Sequence, residues 1–372
     1  MTRFDIAIVG AGMAGASLAA ELADRARVLL LEAEDQPGRH ATGRSAAFWS
    51  ETYGGPLVQP LTTASGPFLA APPPDVSDRP FLSPRGGISL ARQGDETLLE
   101  TMVAQFEAAG VRFEWIGRDA LETLIPGLRP VWTRGLSEPS CSDIDVAGLH
   151  AAYLRMARRR GAVLRVDAAM RSASRSAGRW MIETAQGPFE ADVLVNAAGA
   201  WADRVAEAAG CAGLGIQPFR RTMIQLRTRP AAPPNLPLVL DAAGLFYFKP
   251  ESGGRLWLSP HDETPSPPCD CAPEELDIAI GVDRFEQVVD WHVERVERSW
   301  AGLRSFAPDR LPVYGFAPGR RDFFWFAGQG GFGIQTAPAA SRLGAALLLG
   351  VEPDPMVAAI DPAPYSPGRF AN

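Results

Sequence analysis

Cysteine and histidine are scarce in this chain, four of each among 372 residues. Cys141, Cys211, Cys269 and Cys271 include one close pair and no second pair to complete a metal site, and His40, His150, His261 and His292 stand far apart. Neither a disulfide scaffold nor a dedicated metal centre is expected, and the metal ligand set is empty. A surplus of positive charge is also missing: 36 Lys and Arg face 43 Asp and Glu, a net −7. Basic runs such as Arg158–Arg160 are too short to reverse that balance, which argues against a nucleic-acid partner. No stretch approaches the roughly 20 uninterrupted apolar residues of a membrane span. The apolar opening, Met1 to Gly15, is interrupted by Asp5, so no signal peptide is expected and a cytoplasmic location is. Internal repeats are absent.

What is present is a globular composition, 46% hydrophobic, at a length that usually divides into two packed units. Phe4 to Val9 reads as a buried strand, and Gly10, Gly12 and Gly15 follow at once. Helical spacing continues through Met13, Leu18 and Leu22, and a second short strand, Val28 to Leu31, is closed by Glu32. Strand, glycine turn, helix, strand and acid follow each other in the order that a dinucleotide site requires. Gly10 permits the tight turn, Gly12 leaves room for a pyrophosphate, and Gly15 lets helix and sheet pack. Free N–H groups at the helix start face the phosphates, while Glu32 can accept from a ribose hydroxyl.

Further along, residues 66–84 with their prolines read as an exposed linker and a domain boundary. Gly87 to Ala91 and Val111 to Ile116 are strand candidates, and Glu96 to Ala109 a helix stopped by Gly110. Asp145 caps a helix from Val146 to Arg160. A strand over 162–166 and a hairpin at 179–195 follow, the hairpin ending in small residues up to Trp201. Strands at 221–226, 244–249 and 255–259 suit an antiparallel second domain. The spacing predicts a helix over 285–296, an aromatic strand at Phe323 to Ala327, a glycine turn at 328–333, a helix over 338–349 and a surface tail.

The glycine turn alone fits NAD as well as FAD. Two features favour FAD: the polar loop 40–47, and the aromatic strand and glycine turn that feed a late helix, whose N-terminus could face a reduced isoalloxazine. The alternatives are an NAD-dependent dehydrogenase and a flavoprotein without turnover that is structural or modifies RNA. Cys269 and Cys271, in a Pro-rich loop, read as two unpaired thiols, since alternate residues rarely meet disulfide geometry.

Five segments carry a more selective likeness: Gly10–Gly15 with Glu32, the loop Pro37–Ala47, Val195–Trp201, Trp300–Phe306 and Gln329–Thr336. Together they resemble the D-amino-acid oxidase-like family of FAD enzymes, and within it bacterial FAD-dependent D-arginine dehydrogenases. The resemblance implies an α/β (α+β) two-domain fold: a Rossmann-like FAD-binding domain of the glutathione-reductase type from 1–70, 146–212 and 308–372, and a mainly antiparallel-sheet substrate domain from 71–145 and 213–307. It implies non-covalent FAD held by Gly10, Gly12, Met13, Ala14, Gly15, Glu32, Ala33, His40, Thr42, Gly43, Arg44, Ser45, Ala46, Ala47, Ala198, Gly199, Trp201, Gly302, Gly328, Gly330, Gly331, Phe332, Gly333 and Ile334.

It also implies hydride transfer from a D-amino acid to flavin N5, and hydrolysis of the imine to a 2-oxo acid and ammonia. Arg304 is similar to the arginine that pairs with the substrate carboxylate, a match for its planar fork of donors. Tyr247 is similar to the tyrosine that assists it, Arg221 to a second substrate-site arginine, Tyr53 to a mobile active-site tyrosine, and Gly331 to the turn beside amine and flavin. Two departures stand out: Gly86 and Gly87 replace a glutamate that reaches for a guanidinium, and Phe48, followed by Trp49, replaces a histidine. An unpaired buried guanidinium would be costly, so a neutral or hydrophobic D-amino acid is expected in place of D-arginine. The alternative substrate is a secondary amine, imino acid or 2-hydroxy acid. Electron acceptor and oligomeric state are left open.

Overall fold

The computed structural model describes residues 3–371. Two large sheets carry the chain. The first has eight strands, and its central run, Gly187–Asn196, Arg3–Val9, Val28–Leu31 and Val163–Arg165, is parallel throughout. Arg3–Val9 and Val28–Leu31 are buried on both faces along most of their length, which explains why Ile6, Ile8, Val28 and Leu30 give near-continuous apolar runs. One edge of Gly187–Asn196 is shared. Its first half pairs antiparallel with Arg179–Thr184, and Leu194 to Asn196 pair parallel with Phe323–Ala327. Helices Met13–Leu22, Val146–Arg159 and Ala337–Leu349 pack over one face, where Leu18, Tyr153, Phe326 and Leu343 share a core.

The second sheet has nine strands and is mainly antiparallel; it draws on 87–138 and 217–306, whereas the first draws on 3–31, 163–196 and 313–327. Its spine is the pair Gln217–Arg229 and His292–Phe306, joined along 13 residue pairs with two bulges. A three-stranded sheet, Phe48–Trp49, Ser142–Ile144 and Leu82–Pro84, lies apart from both. The architecture is the two-domain α/β fold expected.

Several local expectations are corrected. The helix expected over 285–296 ends at Glu286, having begun at Glu275, and His292–Phe306 is a strand. Charges at Glu294, Arg295, Glu297 and Arg298 imitate a helical face, but backbone pairing with a strand some seventy residues away overrides that local preference. The linker expected from residue 66 is still helix as far as Ala70, with Pro67 inside it. The closing segment is no loose tail. Val357 and Tyr365 are buried, and the Tyr365 hydroxyl donates to Leu57 O at 2.7 Å. Strands Trp132–Glu138 and Met170–Ser176 and helix Arg118–Leu124 had no clear sequence signal.

Candidate active site

The glycine turn joins the first strand to the first helix. Gly10 sits at φ +102°, and a Cβ there would run into the Ala197 carbonyl of the neighbouring strand's end, so no other residue fits. A Cβ on Gly15 would overlap the Gly10 carbonyl. The helix start has neither a side-chain cap nor an acid in its first turn; only Met13 N–H is engaged, donating to Thr42 Oγ1 at 3.0 Å. The turn is thus open to an anion from outside the chain. Glu32 accepts from Ala11 N at 2.9 Å and from Glu34 N at 3.1 Å, which fixes its carboxylate beside the turn with lone pairs to spare.

A cavity of about 410 Å³ runs from this turn to the second sheet. Its lining includes Gly10, Gly12, Met13, Ala14, Glu32, Ala33, His40, Thr42, Arg44, Ser45 and Ala46 from the first half of the chain, and Ala198, Gly199, Trp201, Gly302, Gly330, Gly331, Gly333 and Ile334 from later segments. His40 Nε2 bonds Glu34 Oε1 at 2.7 Å and its ring tilts against Trp201, while its Nδ1 is buried with no partner. An orphaned polar atom on a cavity wall suits a cofactor group absent from the chain itself. Arg44 spends its donors elsewhere: Nη1 on the carbonyls of Cys271 and Ala301 at 2.9 and 3.0 Å, Nη2 on Asp270. It therefore joins the two halves of the cavity wall.

Five expected cofactor residues do not line the cavity. Gly15 belongs to the helix and faces the Gly10 carbonyl and Ile8, away from the cavity. Gly43 closes a turn through its N–H on Gly38 O, the Ala47 carbonyl faces Ile144 N, Gly328 turns the chain at φ +74°, and Phe332 packs with Val58 and Phe306. Sequence reasoning missed Glu34, Met170, Met223, Cys269 and Cys271, which do line it. The two thiols are unpaired, and among the described residues no cluster of His, Cys, Asp or Glu could hold a metal ion. Among those same residues no helix is long and apolar enough to cross a membrane.

The far end of the cavity rests on the long strand pair. Phe219 lies opposite Arg304 and Arg221 opposite Gly302, so the two arginines are diagonal neighbours on one face. Arg304 is half-buried and opens into the cavity; its Nη1 donates to the Tyr53 hydroxyl, and among the described residues no carboxylate pairs with it. Burial works against its charge, yet the facing hydroxyls of Tyr53 and Tyr247 leave the guanidinium above its ordinary value. Arg221 is buried, with Nε on Asp262 O at 2.7 Å, Nη2 on Glu263 at 2.8 Å and Nη1 unpartnered. Burial and then the Arg304 charge push it down to about 10. His261, half-buried at φ +56°, hydrogen-bonds Gly244 O through Nδ1, and burial with both arginine charges pushes it down to about 3.

Tyr247 is fully enclosed, its hydroxyl donating to Met223 Sδ at 3.2 Å, and burial raises its pKa. Phe48 stands edge-on to Tyr53 at 5.1 Å and to Tyr247 at 5.6 Å. Phe48, Cys141, Met223, Leu238 and Tyr247 form one apolar cluster. At Gly87 a Cβ would meet Cys141 Sγ at 3.2 Å, so a thiol fills the room that the glycine leaves. All five residues expected at the substrate end, Tyr53, Arg221, Tyr247, Arg304 and Gly331, come together here. Glu138, which together with Gln335 of the late glycine-rich run holds the Tyr53 turn, had no sequence signal.

Comparison with known proteins agrees with this architecture. The profile of the family described as DAO, FAD dependent oxidoreductase, matches residues 5–347. Glycine oxidase of Geobacillus kaustophilus is 27% identical over 98% of this chain and 96% of its own length. Its crystal structure superposes with a TM-score of 0.84, covering 98% of both chains at 26% identity. Mitochondrial dimethylglycine dehydrogenase of Rattus norvegicus is 28% identical over 62% of this chain, which is 29% of that longer protein. The likeness to D-arginine dehydrogenases is thereby corrected: relatives matched from end to end are glycine oxidases. FAD is the cofactor, held without a covalent bond.

Proposed function

The chain belongs to the DAO family of FAD-dependent oxidoreductases, and from that membership we propose that it oxidises a small α-amino acid or N-substituted glycine at the carbon between nitrogen and carboxylate. At the coarser level it is a flavin-dependent redox enzyme that converts an amino acid or related amine to an imino or 2-oxo compound. One observation carries the finer reading. Arg304 opens into the cavity and among the described residues has no acid partner, so its fork of donors is left for a carboxylate from outside the chain.

In this reading Gly10, Gly12, Met13 and Ala14 meet the pyrophosphate of FAD, Glu32 the ribose, and His40–Ala46, Ala198–Trp201 and Gly330–Ile334 the remainder. Residues 1–70, 146–212 and 308–372 form the FAD-binding unit, and 71–145 with 213–307 the substrate unit. Bound FAD supplies the acceptor for the hydrogen and electron pair that leave the substrate carbon. Arg304 and Tyr53 anchor the carboxylate, and Arg221 offers its free Nη1 to the same end. Two guanidiniums also disfavour an ammonium beside them, so the nitrogen is presented with its lone pair free. Tyr247 and Phe48 wall the site against water, and orientation is the main thing the chain contributes.

Small substrates are favoured because the Phe48, Tyr53 and Tyr247 rings close together, Cys141 fills the space at Gly87, and the relatives named above act on glycine or its dimethyl derivative. The apolar wall supports a second reading, a neutral or hydrophobic D-amino acid. Anaerobic bleaching of the flavin decides between them. Glycine, sarcosine and N,N-dimethylglycine should reduce it faster than D-leucine or D-phenylalanine, and 2-hydroxy acids should not reduce it. If no amino carboxylate bleaches the flavin, the assignment fails.

A further inference from the structure

Tyr53 has no regular element to hold it: it lies on an irregular turn between strand Phe48–Trp49 and helix Gln59–Ala70. The turn is nevertheless tied on both sides. The three residues before Tyr53 all end on one carboxylate from the other sheet: Ser50 Oγ donates to Glu138 Oε2 at 2.9 Å, Glu51 N to Oε1 at 2.6 Å and Thr52 Oγ1 to Oε2 at 2.7 Å. From the opposite side Gln335 Nε2 donates to Tyr53 O at 2.9 Å, and its Oε1 accepts from Ser50 N at 3.2 Å.

We propose that Glu138 is the positioning residue for the carboxylate site, holding the turn so that the Tyr53 hydroxyl stays on Arg304. This rests on reading Arg304 and Tyr53 as the substrate's carboxylate anchor. Glu138 is buried, and among the described residues no lysine or arginine pairs with it. A buried carboxylate without a cation is costly, and packing alone would be served better by an apolar side chain. Here the cost is offset by three donors from consecutive residues, all of one turn. Burial raises the carboxyl pKa and those three donors oppose the shift, as they would for a group kept as an acceptor.

The arrangement also says which replacement should work. In Glu138→Gln the amide oxygen can keep the Glu51 N–H, and the amide nitrogen can face Ser50 and Thr52, whose hydroxyls rotate to accept. Glu138→Ala strands all three donors and frees the turn. The damage should fall on carboxylate binding, with little effect once substrate is saturating.

The test compares wild type, Glu138→Ala, Glu138→Gln, Thr52→Val and Arg304→Met as FAD-loaded enzymes, with flavin content as the folding control. Two readouts serve: steady-state kinetics with the best amine of the panel above, and acetate titration followed by the bound flavin's absorption. Glu138→Ala should raise KM and the acetate Kd about tenfold or more, with kcat changed less than about twofold. Glu138→Gln should return both to within about threefold of wild type, and Thr52→Val should lie between. Unchanged acetate binding in Glu138→Ala overturns the proposal, as does a loss confined to kcat or a Gln variant as poor as the Ala variant. Wild-type flavin that ignores acetate, together with an Arg304→Met variant of normal KM, would instead overturn the anchor reading beneath it.

Discussion

Arg304 donates to the Tyr53 hydroxyl directly beside the Gly331 backbone, so close that a Cβ on Gly331 would stand 2.7 Å from that hydroxyl and 2.8 Å from Arg304 Nη1. The glycine is needed here for space. Gly331→Ala should force the pair apart, and overpacking of this kind costs about 1–3 kcal/mol, or roughly five- to 150-fold in kcat/KM. Flavin content measured on the same preparation separates a loss at the substrate end from a loss of FAD, since Gly331 also lines the cofactor part of the cavity. Steady-state kinetics with the best amine substrate check it, and an alanine variant as active as wild type would show that the pair can shift freely.

Glu32 serves the glycine turn before it serves any ligand. Its oxygens accept from Ala11 N and Glu34 N, two backbone groups that would otherwise lie beside the cavity with no partner. Glu32→Ala removes both acceptors and the contact offered to a ribose. Each buried donor left unmade costs about 1–3 kcal/mol, so FAD should bind about ten- to hundredfold more weakly. Fluorescence titration of the apoprotein with FAD measures this. Glu32→Gln, which can keep one of the two bonds, should lose less.

These positions differ in how far the sequence alone reveals them, for a physical reason. The Gly10 turn and Glu32 are legible because their work is local: the turn's φ, the open helix start and the acid closing the next strand all lie within about thirty residues. Arg304 is legible as a residue type in a selective run, but its strand is not, because only pairing with Gln217–Arg229 makes 292–306 extended. Cys269 and Cys271 reach the cavity through the bond from Arg44 to Cys271 O, a contact between segments more than two hundred residues apart. Glu138 is an ordinary glutamate at the end of a strand until the fold brings residues 50–52 to it. Side chains that act through another element leave no spacing to read.

Arg221 should show a conflict between stability and activity. Its folded-state pKa of about 10 lies below the ordinary arginine value, so the native state binds this proton more weakly than the unfolded chain does. Stability from this group therefore grows as pH rises from about 10 towards the ordinary arginine value, and below that window the buried charge costs stability. Arg221→Met, which keeps the bulk without the charge, should therefore melt no lower than wild type at neutral pH while its KM rises, because Glu263 retains Arg310 as partner. Thermal melts and kinetics on the same preparation test both halves. A melting temperature several degrees lower would mean that the bonds to Asp262 and Glu263 outweigh the cost of burial.

His261 extends the same reasoning to acid. Burial and the charges of Arg221 and Arg304 hold it near 3, far below its ordinary 6.5, so it stays neutral in the folded protein and becomes charged on unfolding in mild acid. Its contribution to stability is complete above about 6.5 and is lost as pH falls towards 3, with a slope approaching 1.4 kcal/mol per pH unit. Asp241, Asp262 and Glu138 have the opposite sign, since burial raises their pKa values and their native forms gain as pH falls. A simple pH profile would mix these effects, whereas a difference between two proteins isolates the histidine. His261→Asn suits this comparison, because asparagine tolerates φ +56° and its amide can donate to Gly244 O. Urea unfolding of both proteins at pH 7.5, 6.5, 5.5 and 4.5 should give lines that converge or cross as the acid limb steepens in wild type alone. Parallel lines would mean that His261 takes up its proton in the folded state as readily as in the unfolded chain, and that the arginine pair does not set the electrostatics of this end of the cavity.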